Sequence, residues 1–76
     1  MTKTVSIDGK IYEYADGDKW NVEVSKNSGS YVTRFSLDAP HRAMFYYNAI
    51  NVGLGHNKRL MLIRGDKKIK VTRMTS

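Results

Sequence analysis

The chain has 76 residues, a net charge of +6 and no cysteine. That length is room for one domain with one core, and the absence of cysteine excludes disulfides and thiolate metal sites. A core of this size seldom supplies more than roughly 3–5 kcal/mol of net stability, and two histidines, His41 and His56, are too few for a zinc site unaided, so a partner chain is the simplest further support.

The charge is uneven along the chain. Residues 1–38 carry five bases against six acids, a net of −1, whereas residues 39–76 carry eight bases against Asp66 alone, a net of +7. Such asymmetry points to an anionic partner for the second half, or to a plain solvated basic edge. No stretch approaches the ~20 apolar residues of a membrane helix, and the N-terminus has no apolar run of signal-peptide length. The expectation is a cytoplasmic protein with no membrane partner.

Turn signals cut the chain into short elements. Asp8-Gly9 lies between Thr4–Ile7 and Lys10–Tyr14, and Asp-Gly favours the type I′ turn of a two-residue hairpin. That turn pairs Val5 with Tyr12 and Lys3 with Tyr14, and sets Val5, Ile7, Tyr12 and Tyr14 on one face. Asp16-Gly17-Asp18 breaks the chain again. Trp20, Val22 and Val24 then alternate with Asn21, Glu23 and Ser25, the period of a half-buried strand. Asn27-Ser28-Gly29-Ser30 leads into a strand from Tyr31 to Leu37. A loop centred on Ser28-Gly29 sets Trp20 opposite Leu37, Val22 opposite Phe35 and Val24 opposite Thr33, with Glu23 opposite Arg34 on the outer face.

Asp38 is a candidate N-cap, and Pro40 sits in the permissive first turn of a helix reaching about Asn51. At the helical period Ala39, Ala43, Tyr46, Tyr47 and Ile50 form one stripe, and Gly53 or Gly55 is expected to end the helix. Lys58–Arg64 and Lys67–Met74 then read as strands around a Gly65-Asp66 turn, which pairs Leu62 with Ile69 and Leu60 with Val71. The expected fold class is α+β: an antiparallel sheet of short hairpins with a single helix packed on one face, in the order ββ-ββ-α-ββ. Whether the first hairpin joins the main sheet is left open.

No catalytic set stands out. His41 and His56 have no cysteine partner, and no serine lies in a nucleophile elbow. The residue types for a ribonuclease-like His, Arg and Glu set are present, but the expectation is no enzymatic activity and no cofactor. Asp16 and Asp18 lack the further oxygen ligands of a calcium loop. Gly53-Leu54-Gly55 runs from helix to strand, the wrong direction for a phosphate loop. Arg64-Gly65-Asp66 matches the integrin tripeptide, but a Gly-Asp turn beside a charged strand end accounts for it.

Two surfaces invite a partner. On the outer face of the last hairpin, Arg59, Met61, Ile63, Lys68, Lys70 and Thr72 mix bases with apolar groups, unlike an ordinary solvent face. On the back of the helix, Phe45 and Val52 point away from the stripe, near His41, Asn48 and Met44, as a contact patch or homodimer seam. The alternative is direct RNA or DNA binding through Lys58, Arg59, Arg64, Lys67, Lys68, Lys70 and Arg73. Tyr12, Tyr14, Tyr31 and Trp20 fall on core faces in this reading, which argues against a stacking surface for single strands.

Trp20 to Met74 reads strand, strand, helix, strand, strand. With Phe35-Ser36-Leu37 leading into the helix, Ala43 followed by Tyr46, and Lys58-Arg59-Leu60 opening the last hairpin, it resembles small phage-encoded accessory proteins, and in size and layout the anti-CRISPR proteins. The resemblance implies a non-enzymatic inhibitor, located in the host-cell cytoplasm, that engages a host protein or nucleoprotein complex. The basic second half departs from the acidic DNA-mimic type, so the implied mechanism is blocking a protein surface or touching guide RNA.

Overall fold

Two-residue turns set the register of the two outer hairpins in the computed structural model, which describes residues 2–26 and 29–71. Strands β1 (Thr2–Ile7) and β2 (Lys10–Ala15) pair antiparallel with Val5 opposite Tyr12 and Lys3 opposite Tyr14. Asp8 and Gly9 both take positive φ, 52° and 84°, the conformation a type I′ turn requires. Strands β5 (His56–Arg64) and β6 (Lys67–Val71) pair Leu62 with Ile69 and Leu60 with Val71. The expected continuation of the last strand to Met74 lies outside the described residues.

Strand β3 (Lys19–Lys26) is central. It pairs with β4 (Val32–Leu37) on one side and with β5 on the other, giving a four-stranded antiparallel sheet in the order β4-β3-β5-β6. The first hairpin forms a separate two-stranded sheet. Together with the helix α1 (Pro40–Ala49), this makes the fold α+β in the order ββ-ββ-α-ββ.

The hairpin and the helix supply one core with the same face of the main sheet. Ile7 and Tyr12 from the hairpin, Ala43 and Tyr47 from α1, and Trp20, Val22, Leu60, Leu62 and Val71 from the sheet form the buried cluster. Trp20 receives Tyr12 and Tyr14 edge-on, at 6.4 and 5.3 Å between ring centroids, an arrangement the ring quadrupoles favour. Phe35 of β4 stacks on Tyr46 of α1 at 4.4 Å. The expected stripe of α1 faces the sheet: Ala43 and Tyr47 are buried, and Tyr46 and Ile50 are half-buried.

Both ends of the helix differ from expectation. Its N-cap is Ala39, in extended conformation and with no side-chain cap bond, rather than Asp38. Pro40 is the cause, because its ring disfavours the helical region for the preceding residue. At the C-terminus neither glycine acts as the cap. Ile50 leaves the helix in extended conformation, and Lys58 reaches back from β5 to donate to the carbonyls of Tyr47 (2.7 Å) and Ile50 (3.1 Å). Its ammonium also lies 4.6 Å from the centre of the Tyr47 ring. A lysine there satisfies carbonyls left without an intrahelical partner and complements the negative end of the helix dipole. Gly55, at φ 80°, serves instead the turn that leads into β5, where the His56 N–H donates to Gly53 O.

The second hairpin departs from a simple register. Trp20 faces Leu37 and Val22 faces Phe35 as expected, but Glu23 then faces Thr33 and Val24 faces Val32. Arg34 is the extra residue of a β-bulge, so it does not oppose Glu23. The inserted residue reverses the phase of the rest of the strand. Thr33 and Tyr31 therefore move to the face opposite the helix, and Val32 takes the inward phase.

Candidate functional site

Alternation along β3 and β5 places Asn21, Glu23 and Ser25 with Arg59, Met61 and Ile63 on the side of the sheet away from helix and hairpin. Strand β6 adds Lys68 opposite Ile63 and Lys70 opposite Met61. The core residues of α1 and of the β1–β2 hairpin cluster with the other side of the sheet, so this side is its open face, although Glu23, Ser25 and Met61 on it are buried. Five of the sequence-derived contact residues, Arg59, Met61, Ile63, Lys68 and Lys70, thus share one open face. Thr72 and Arg73 lie outside the described residues.

This face has an organised centre. The Glu23 carboxylate is buried and accepts a 2.7 Å bond from Arg59 Nε, with Thr33 Oγ1 at 3.4 Å from its other oxygen. The Arg59 guanidinium lies 3.8 Å from the centre of the Tyr31 ring, within cation–π range. The sequence places Tyr31 in the core; the bulge at Arg34 brings it here instead. Met61 is only 7% exposed, flanked in register by Asn21 and Lys70, so it is not the free apolar group its sequence position suggests. Ile63 is half-buried, and Lys68 and Lys70 are exposed. A long basic side chain in such a row lays its stem on apolar neighbours and keeps its charge in water. Asn21 Oδ1 is buried without a hydrogen-bond partner among the described residues.

The described basic residues of the alternative set do not form one surface. Lys58 caps the helix on the other side of the sheet, and Arg59 is held by Glu23. Arg64 and Lys67 oppose each other at the tip of the β5–β6 hairpin and alternate to the side opposite Lys68 and Lys70. Lys68 and Lys70 are the members of that set left exposed on the open face.

The helix back is smaller than its sequence suggests. Phe45 is 68% exposed and meets Tyr46 edge-on at 5.5 Å. Val52 is not on the helix, which ends at Ala49; it lies half-buried in the following loop. Phe45→Asp is expected to cost less than about 1 kcal/mol, since it removes one exposed ring contact. Tyr46→Asp is expected to cost about 2–3 kcal/mol, because it removes a half-buried ring stacked on Phe35. Urea denaturation of the two variants checks this, and the opposite order would put the helix in the wrong phase.

The remaining motifs serve turns. Asp18 accepts from the Ala15 N–H at 2.8 Å and Asp16 pairs with Lys3 at 3.4 Å on the surface. No group of three or more potential metal ligands occurs among the described residues. Gly65, at φ 59°, forms the two-residue turn with Asp66. His56 alternates to the helix side of β5, whereas the Glu23–Arg59 pair is on the open side, so these residues of a His, Arg and Glu set are not brought together. No helix among the described residues is long and apolar enough to cross a membrane. No family model matches the chain, and neither a curated protein nor a solved structure matches it.

Proposed function

We propose that this chain is a non-enzymatic binding module, a phage-type inhibitor of anti-CRISPR character, that engages a host protein or nucleoprotein complex with the open face of its four-stranded sheet. The observation that carries the reading is the distribution of side chains across the sheet. One side is taken by α1 and the β1–β2 hairpin, while the other presents Lys68, Lys70, Ile63 and the Tyr31–Arg59 pair. Aromatic and arginine side chains are enriched at protein interfaces, and the exposed lysines suit a partner with an acidic surface. Phe45 offers a separate small contact, to the target or to a second copy.

Direct binding of single-stranded RNA or DNA is the second reading, favoured by Tyr31. An aromatic ring beside an arginine on an open sheet is the kind of platform on which single-strand modules stack bases. Capture from host lysate, repeated after nuclease treatment, separates the two. The first reading expects a stoichiometric protein partner that survives nuclease and is lost in the Lys68→Glu, Lys70→Glu double variant. The second expects binding to a mixed oligonucleotide at low salt that falls steeply as salt rises. Undiminished capture by the double variant would exclude this face as the interface.

A further inference from the structure

A cleft at the far end of the β3–β4 hairpin collects cationic groups that the open face does not use. It has a volume of about 380 Å³ and is lined by Lys26, Ser30, Arg34 and His56 against the apolar Val24 and Val32, with no carboxylate among the described residues of its wall. That volume is within the roughly 300–1,000 Å³ of small-molecule sites. Three separate features of the fold bring these residues together. Lys26 and His56 are cross-strand partners at the end of the β3–β5 ladder. Arg34 is the extra residue of the β4 bulge, with no opposite number on β3, and bulges re-aim side chains in this way. Ser30 comes from the loop that returns to β4.

Neither Lys26 nor Arg34 has an ion-pair partner among the described residues, whereas Arg59 is matched by Glu23 and Lys3 by Asp16. Two cations, an imidazole and a hydroxyl around a concave space without an acid form a donor-rich site. A guanidinium binds phosphate oxygens in a fork, a lysine adds a point charge, and imidazole and hydroxyl donate further bonds.

We propose that this cleft is a phosphate-binding site, in which Arg34 grips the phosphate and Lys26, His56 and Ser30 complete its contacts. The phosphate belongs either to a small phosphate ester or to a nucleic-acid backbone, and the chemistry is the same for both.

Amide NMR of the intact chain, titrated with inorganic phosphate at constant ionic strength, tests the site. Saturable shifts grouped at Lys26, Ser30, Arg34 and His56, absent with chloride, are expected. In Arg34→Gln the binding should weaken by about tenfold or more, as for the loss of a charge-assisted partner. Unshifted signals elsewhere would show that this variant keeps its fold, and Lys26→Gln provides an independent second variant. The Lys68→Glu, Lys70→Glu variant should bind phosphate as the parent chain does, which separates this site from the open face. Adenosine monophosphate and an unphosphorylated oligonucleotide are then compared. Tighter binding of the first assigns a small ester, tighter binding of the second a phosphodiester backbone, and either supports the site. Non-saturating shifts, equal shifts with chloride, or undiminished binding by both Arg34→Gln and Lys26→Gln would overturn it.

Discussion

Trp20→Ala is expected to leave the chain largely unfolded at room temperature. Replacing a buried tryptophan by alanine costs about 3–5 kcal/mol, and a core of this size supplies roughly that much net stability in total. Trp20 is fully buried on the central strand, between Leu37 of β4 and Leu62 of β5. It is also the residue against which Tyr12 and Tyr14 of the first hairpin pack. Its loss therefore opens the main sheet and detaches the hairpin together. Trp20→Phe is expected to cost far less, because it keeps a ring in place and removes an indole N–H that has no hydrogen-bond partner among the described residues. Circular dichroism and one-dimensional NMR check both variants. A cooperative, well-dispersed Trp20→Ala would mean that the hairpin and sheet do not share this core.

The second large effect is an asymmetry within the Glu23–Arg59 pair. Arg59→Ala is expected to cost about 3–5 kcal/mol, because it leaves a buried carboxylate without its counter-charge. Glu23→Ala is expected to cost less, about 1–3 kcal/mol. The Arg59 side chain is 30% exposed against 6% for Glu23, so a released guanidinium can turn to water while a released carboxylate cannot. Urea midpoints of the two single variants and the double variant form the measurement. If Glu23→Ala is the more damaging, Arg59 is held by contacts other than the carboxylate. The pairing also bears on binding: an arginine engaged by a neighbouring carboxylate is a weaker phosphate contact than a free one, which leaves Lys68, Lys70 and Lys19, the exposed residue opposite Ile63 on β3, as the available charges of the open face among the described residues.

The two outer hairpins were legible because their turns are short. A two-residue loop ties the partner of every residue to the position of the turn, so Asp8-Gly9 and Gly65-Asp66 determine which residues face each other in β1–β2 and β5–β6. The helix phase was legible for a related reason, since Ala43 and Tyr47 recur at the spacing of one face. The longer loop before β4 imposes no such tie. The register there agrees with the sequence from Leu37 to Phe35 and departs at Arg34, where nothing in the residue types announces an extra residue.

The candidate surface followed the same division. Alternation alone places Arg59, Met61, Ile63, Lys68 and Lys70 on one face, and the structure agrees. Alternation could not say that Met61 is covered, that Tyr31 belongs to that face, or that Lys58 closes the helix. Each depends on contacts between segments remote in sequence: Glu23 and Arg59 are 36 positions apart, and Lys58 meets Tyr47 and Ile50 across the turn into β5.

The sequence by itself determined the α+β class, the order of the elements, the two short-loop registers and the buried stripe of the helix. These depend on local turn chemistry and on periodicity, which act over a few residues. Only the tertiary structure decided that β3 pairs with β5, that a bulge turns Tyr31 outward, and which cations are already engaged. Those outcomes come from non-local pairing, where the partner of a charge or a strand edge is chosen by the packing of the whole sheet.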